Sequence, residues 1–280
     1  METKIGFIGQ GWIGKNYADY FEDRGFEVIR FALEEPYINN KDKIKECDIV
    51  FIAVPTPSTP RNGFEYDIVG KSVQLVGKGK IAVIRSTLVP GTTEIIQKDN
   101  PDIIIIHVPE FFTRQWIGKE IPNPDRNIYG IASDTAGHKD AVHRLMDVMP
   151  KARYELVCSS REAELIKYAR NCMGYTRVIF TNLLFDLAQK LDVDWDKIEQ
   201  ATMADPLQAS YYLKPNQKGG RGAGGPCYIK DMVAFRNLYK EKVGEKEGLD
   251  VIVSLEEKNK KLLRESGKDL DLLSGVYGDE

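Results

Sequence analysis

Lys4-Ile5-Gly6-Phe7-Ile8-Gly9-Gln10-Gly11-Trp12-Ile13-Gly14 is the stretch that decides the fold of this chain. The apolar run up to Ile8 reads as a short buried strand. A G-x-G-x-x-G turn follows at once, and an amphipathic helix continues to about Arg24. In that context Gly9 makes the turn, Gly11 admits a pyrophosphate and Gly14 lets the helix pack on the strand. The helix N-terminus then offers free N–H groups and the positive end of its dipole to the phosphates. A dinucleotide-binding unit is expected, with Gly9, Gly11, Trp12, Ile13 and Gly14 against the cofactor.

Outward from this unit, strand and helix patterns alternate. Glu27 to Phe31 reads as the second strand, whose end should carry an acid for the adenosine ribose. Ala32 stands there, so Glu34 is the candidate that reaches back. Arg30 could answer a 2′-phosphate but reads first as a solvated strand-end arginine, and NAD is preferred over NADP. Asp48 to Val54 is a nearly continuous apolar run, as in a parallel strand buried on both faces. It empties into Val54-Pro55-Thr56-Pro57, at the kind of strand end where open α/β sheets bind ligands. Asp67 is read as the cap of the next helix. Ile81 to Ile84 leads to Ser86-Thr87, and Ile103 to His107 leads to Pro109-Glu110-Phe111-Phe112. A carboxylate beside two bulky aromatics suits general acid/base duty, or equally the start of a helix. Asn127 to Ile131 and Tyr154 to Cys158 close the sheet around a helix near Thr135 to Val148. Residues 1–158 therefore read as a Rossmann-type, doubly wound parallel sheet.

At Ser159 the pattern changes. Ser159-Ser160-Arg161-Glu162 is a capping box that opens a helix reaching about Leu191. Its apolar positions are read as Leu165, Ala169, Cys172, Ile179, Leu183 and Leu187, while Lys167 and Asn171 project from one face as i, i+4 neighbours. Only helical patterns follow, giving a smaller all-helical domain over 159–267 and a polar, fraying tail over 268–280.

Gly222-Ala223-Gly224-Gly225-Pro226-Cys227-Tyr228-Ile229-Lys230-Asp231 lies within that helical domain. Glycines lack a Cβ and let backbone and substrate come close. A thiol delivered there, with a lysine and an aspartate within one helical turn, is the arrangement a cysteine nucleophile needs. Taken alone, Cys227 also reads as a buried structural cysteine, since free cysteine is usually a small hydrophobe.

The 280 residues allow two domains with real cores. A net charge of −3 gives no reason to expect nucleic acid or an anionic membrane as partner. Four dispersed cysteines without a C-x-x-C pair argue against a zinc site and a disulfide framework. No signal peptide is read, and no apolar run approaches the ~20 residues of a membrane span. A cytoplasmic protein without a metal is expected.

In chain order, Gly9 to Gly14, Val54-Pro55-Thr56-Pro57, Ser86-Thr87 with Pro90-Gly91-Thr92-Thr93, and Pro109-Glu110-Phe111 are landmarks. Asn123-Pro124-Asp125-Arg126, Ala163-Glu164-Leu165-Ile166-Lys167 with Asn171, and Cys227-x-x-Lys230-Asp231 complete the set. Together they resemble the UDP-glucose/GDP-mannose dehydrogenase family of nucleotide-sugar 6-dehydrogenases, over roughly residues 3 to 262. The resemblance implies oxidation of a sugar's primary alcohol to a carboxylate in two hydride transfers to NAD. It implies Cys227 as the nucleophile that traps the aldehyde, Lys167 and Asn171 as oxyanion stabilisers, and Asp231 with Thr87 and a water as the proton-transfer group. Glu110 would activate water for thioester hydrolysis. Val54, Pro55, Thr56, Ser86, Thr87 and Glu110 would line the cofactor, and Phe111, Phe112 and Gly224 the sugar. A homodimer through the long helix is implied as well.

There are departures. The family's second α/β domain, which grips the nucleotide, has no room before residue 280, so a form lacking it is expected. Thr113, Arg114 and Gln115 stand near the family's second acid, and Leu207 where the family has an arginine for the partner's sugar. The glycine loop is longer, with Lys218 and Arg221 placed to meet a phosphate or carboxylate. Two other readings stay open: a two-electron β-hydroxyacid-type dehydrogenase, which needs no cysteine, and a catalytically silent NAD-binding homologue.

Overall fold

A computed structural model describes residues 3–59, 63–112, 117–206 and 212–278. Thr113, Arg114, Gln115 and Leu207 lie outside the described residues. The chain divides into two compact units, 1–57 with 65–167, and 58–64 with 168–280.

The first unit is built on a seven-stranded sheet. Its elements are β1 (Ile5–Ile8), α1 (Trp12–Asp23), β2 (Val28–Phe31), a 3-10 helix (Ile38–Glu46), β3 (Ile49–Ile52), α2 (Asp67–Val73) and β4 (Ile81–Ile84). They continue with α3 (Thr92–Asp99), β5 (Ile104–His107), a helical turn (Ile117–Glu120), β6 (Arg126–Ile131), α4 (Ala136–Val148) and β7 (Tyr154–Ser159). The strand order is β2-β1-β3-β4-β5-β6-β7. All residues of β1, β3 and β4 are buried, as the continuous apolar runs require. Phe7 of β1 stacks on Phe51 of β3 at 4.9 Å, and Phe21 of α1 packs against both.

One pairing departs from the expected parallel sheet: β6 runs antiparallel to β5, and β7, parallel to β6, shares its reversed direction. A parallel return needs a crossover of a dozen or more residues, usually a helix. Among its described residues this connection holds only the single turn Ile117–Glu120. Asp67 is also not a cap. It is the first helical residue after Tyr66, and no side chain caps α2. At α3 the missing cap comes from elsewhere in the unit. Gly91, at φ +98°, has no side chain to offer, and the buried Glu164 accepts bonds from Gly91 N (2.6 Å), Thr93 N (2.8 Å) and Thr93 Oγ1 (2.6 Å).

The long helix α5 spans Ser160–Lys190. Its capping box forms as read: Glu162 accepts from the Ser159 N–H at 2.8 Å, and Ser159 Oγ accepts from the Glu162 N–H. Its apolar face differs from the reading. Cys172 and Ile179 are buried, but Leu165, Ala169, Leu183 and Leu187 are exposed. The covered face runs instead through Tyr168, Tyr175, Val178 and Asn182. With apolar residues around much of the helix, periodicity alone does not say which stripe is covered.

The second unit adds α6 (Trp195–Ala204), a two-strand hairpin of β8 (Asn216–Gln217) and β9 (Gly220–Arg221), α7 (Tyr228–Lys242), α8 (Lys246–Ser266) and α9 (Leu270–Tyr277). The segment after Lys268, expected to fray, forms α9. Leu273 is buried in a cluster with Ile229 of α7 and Leu263 of α8, which holds the helix down.

Candidate active site

In the first unit the G-x-G-x-x-G turn has the shape that a pyrophosphate needs. Gly9 sits at φ +90°, and a Cβ there would meet the Ala53 carbonyl at 2.5 Å. A Cβ on Gly14 would come within 1.9 Å of the Gly9 carbonyl, so α1 can lie this close only with glycine. Gly11 faces open space, where a Cβ would meet no atom within 4 Å, and it supplies no side-chain cap to α1. The free first-turn N–H groups and the open approach fit a dinucleotide phosphate. Trp12 is exposed beside them. At the neighbouring strand ends Ser86 Oγ donates to the Val54 carbonyl at 2.7 Å, and Thr56 and Ser86 are buried while Pro55 is exposed.

Arg30 is not the solvated arginine of the sequence reading. It is buried, with Nε and Nη2 on Glu22 (2.9 and 2.6 Å) and Nη1 on Asp19 (2.7 Å). Two carboxylates compensate it, which leaves no surplus charge for a 2′-phosphate. Glu34 is exposed.

Glu110 is 6 % exposed, a buried carboxylate next to Phe111 and Phe112. Its partners are ones the sequence did not suggest. Oε1 accepts from the Phe111 and Phe112 N–H groups at 2.8 and 2.9 Å, and Oε2 pairs with Arg85. Arg85 is buried, lies 4.4 Å over the Tyr17 ring and donates to the Tyr17 hydroxyl at 2.6 Å. A carboxylate has about four acceptor positions. Three are taken, so Glu110 is fixed in place with one position left for a water. Lys167 Nζ donates to the Glu110 backbone carbonyl and lies 5.7 Å from the Phe111 ring centre. Burial, then the Arg85 and Lys167 charges, depress the His107 imidazole to about 3, so it is neutral near pH 7. Burial pushes the Tyr17 phenol above its ordinary range.

In the second unit Asp231 is 1 % exposed on the first turn of α7. Oδ2 accepts from Asn171 Nδ2 at 2.6 Å and Oδ1 pairs with Lys230 Nζ at 2.9 Å. Cys227, at the N-cap of α7, is exposed rather than a buried structural thiol, and its carbonyl accepts the Asp231 N–H at 3.0 Å. The three other cysteines are more enclosed, Cys47 and Cys172 buried and Cys158 half-buried. Burial pushes the Cys47 and Cys172 thiols up to about 12 and Cys158 to about 11. Structure thus brings Asn171, Asp231 and Cys227 together in one unit, and Glu110 and Lys167 in the other. Thr87 is half-buried at the end of β4.

Lys218 and Arg221 do not form a pair of waiting cations. Lys218 (φ 50°) and Gly219 (φ 92°) make the tight turn of the β8–β9 hairpin, with Lys218 exposed. Arg221 is committed to Asp186 and to Asn182 Oδ1 at 2.7 Å. Burial pushes the Asp186 carboxyl up, but bonds from Lys258 and Arg221 outweigh it and hold it below its ordinary value. Gly224 packs so closely on Asp269 that a Cβ would meet Oδ2 at 2.0 Å.

Residues 34–148 match the NAD binding domain of the UDP-glucose/GDP-mannose dehydrogenase family, and residues 161–261 match its central domain. The chain belongs to this family. NAD is its cofactor. The UDP-glucose 6-dehydrogenase of Rickettsia typhi is 26% identical over 240 residues, which cover 81% of this chain and 54% of that protein. A solved UDP-glucose dehydrogenase from Pyrobaculum islandicum superposes with a TM-score of 0.77 at 24% identity, over 92% of this chain and 68% of the other. Mycobacterium tuberculosis 3-hydroxyisobutyrate dehydrogenase has the same fold, with a TM-score of 0.71 at 14% identity over 99% of both chains. The chain spans about half the length of the curated UDP-glucose dehydrogenase relatives it matches.

Sequence reasoning missed Arg85 and Tyr17. Arg85 directly precedes the Ser86-Thr87 motif at the end of an apolar strand. A charge continuing a buried run was a legible signal, because such a charge needs a buried partner. Among the described residues no helix is long and apolar enough to cross a membrane, and no cluster of His, Cys, Asp and Glu could hold a metal.

Proposed function

We propose that this chain oxidises the primary alcohol of a nucleotide sugar to a carboxylate in two steps, with Cys227 as covalent nucleophile. The observation that carries this is the Cys227–Asp231 turn: an exposed thiol one helical turn before a buried carboxylate that is itself held by Asn171 and Lys230. NAD, against Gly9, Gly11 and Gly14 with Val54, Thr56 and Ser86, supplies the hydride acceptor for both steps.

Asp231, with Thr87 and a water, takes the proton of the alcohol as the aldehyde forms. The Cys227 sulfur adds to the aldehyde carbon to give a thiohemiacetal, whose oxidation leaves a thioester. Lys167 and Asn171, one turn apart on α5, stabilise the oxyanions of addition and hydrolysis. Glu110, oriented by Arg85 and two backbone N–H groups, holds the water that attacks the thioester and takes its proton. The sulfur leaves as the carboxylate forms.

The chain acts as a homodimer through α5 on this proposal. Met173, Phe180, Leu184, Leu187 and Leu191 are all exposed along and just beyond this helix at three-, four- and seven-residue spacings. Light scattering of wild type and Phe180→Glu tests it, with the variant expected as a monomer.

The decisive experiment is the stoichiometry of NADH per molecule of UDP-glucose, for wild type and Cys227→Ser. Two NADH per sugar, collapsing in the variant, is expected. One NADH per substrate with a fully active Cys227→Ser would favour a two-electron hydroxyacid dehydrogenase, the alternative supported by full-length fold similarity to such an enzyme. NAD binding without turnover on any nucleotide sugar would leave a silent homologue.

A further inference from the structure

The backbone of the glycine loop that precedes Cys227 is satisfied by side chains from the corner between α8 and α9. Asn259 of α8 brackets Ala223, accepting its N–H at 2.7 Å and donating to its carbonyl at 3.0 Å. Ser266 accepts the Arg221 N–H at 3.2 Å. At the end of α8, Gly267 (φ 64°) reverses the chain, and the Lys268 N–H returns to the Leu263 carbonyl at 3.0 Å. That reversal aims the next two side chains at the loop. Lys268 Nζ donates to the carbonyls of Gln217 (2.7 Å), Gly222 (2.9 Å) and Gly220 (3.4 Å). Asp269 Oδ2 accepts the Gly225 N–H at 2.8 Å, two residues before the thiol.

Lys268 is 8 % exposed, and burial lowers its ammonium below the ordinary value, opposed by Asp269. Taking an ammonium out of water is costly unless its donors are satisfied. Here three loop carbonyls satisfy them, so the charge is spent on holding the loop. The glycines agree. A Cβ on Gly220 would meet Ser266 Oγ at 2.8 Å, and one on Gly222 would meet Asn259 Oδ1 at 3.0 Å. Leu273 of α9 packs with Ile229, two residues beyond Cys227, so both flanks of the thiol rest on this corner.

We propose that the α8–α9 corner is a latch that sets the place of Cys227, with Lys268 and Asp269 as positioning residues, resting on Cys227 being the reactive thiol. Lys268 and Asp269 act through three carbonyls and one N–H before Cys227 and touch no substrate.

The test is the rate of Cys227 alkylation by iodoacetamide in the full chain, followed by peptide mass spectrometry for wild type, Lys268→Met and Asp269→Ala. In Lys268→Met the rate should change about tenfold, the scale of lost hydrogen bonds to a buried charge. Ammonium chloride should return it toward wild type in a saturable way, while equal sodium chloride should not. NAD affinity should be unchanged. A wild-type rate in a folded Lys268→Met overturns the latch, and so does a changed rate that ammonium leaves unaltered, since packing alone would do that. If Lys268→Met does not fold, Asp269→Ala decides, with a changed rate expected and an unchanged rate overturning it. Alkylation needs no sugar. Altered rates in a protein that never turns over a nucleotide sugar would keep the latch and sink the dehydrogenase mechanism, and the converse would do the reverse.

Discussion

Glycines crowd both the Gly9–Gly14 turn and the Gly219–Gly225 loop, but they answer to different neighbours. In the first, Gly9 and Gly14 yield to the unit's own backbone, while Gly11 faces open space where a ligand phosphate fits. In the second, Gly220, Gly222 and Gly224 yield to Ser266, Asn259 and Asp269, side chains 35 and more residues away. The two units also hold their key carboxylates differently. Glu110 is paired with a fully enclosed arginine, whereas Asp231 is held by a neutral amide and a lysine that reaches solvent. Similar compositions therefore serve a cofactor turn set by its own backbone in one unit and a loop propped by distant side chains in the other.

The largest effect should come from the carboxylate contrast. Arg85→Met leaves Glu110 buried and uncompensated and should destabilise the first unit by about 3–5 kcal/mol in urea unfolding. Lys230→Met leaves Asp231 its Asn171 bond and should cost less, about 1–3 kcal/mol. Equal costs would erase the distinction between the two carboxylates.

Gly14→Ala drives a methyl into a backbone carbonyl that cannot turn aside, so α1 must shift. A loss of about 1–3 kcal/mol and of most NAD affinity is expected from unfolding and calorimetry. Gly224→Ala meets only the ends of the Asp269 and Lys268 side chains. It should leave NAD binding intact and alter Cys227 alkylation alone.

The buried His107 gives the first unit a histidine pH signature, and the second unit contains no histidine. Its imidazole is depressed from 6.5 to about 3 by burial, then by Arg85 and Lys167. Between those values the unfolded chain binds a proton that the native state does not, so stability falls as pH drops through this window. His107→Asn should flatten that limb in denaturant titrations at pH 4 to 6, taken as roughly the middle of the window. An unchanged slope would show that other groups carry the acid sensitivity.

The smallest structural effect belongs to Gly11→Ala. The position is open, so stability should stay within about 0.5 kcal/mol. The NAD dissociation constant should nevertheless rise about tenfold, because the methyl stands where the pyrophosphate approaches. Unchanged affinity would place the phosphate elsewhere.

The features legible in the chain were local ones. The strand-turn-helix around Gly9 to Gly14, the capping box of Ser159 and Glu162, and the turn from Cys227 to Asp231 are set by interactions between residues three to five apart. Such spacings are written directly in the order of residues. The ordered motifs added the family, because each one marks a strand end or a helix turn of the same plan.

The remaining features arose only when the elements packed. Arg85 meets Glu110 across 25 residues, Asn259 meets Ala223 across 36, and Lys268 meets Gly222 across 46. No periodicity encodes such pairings, since they depend on how separate helices and strands pack. The covered face of α5 was hidden for the same reason. A helix apolar around much of its girth buries the stripe its neighbours cover, and only the packed fold says which stripe that is.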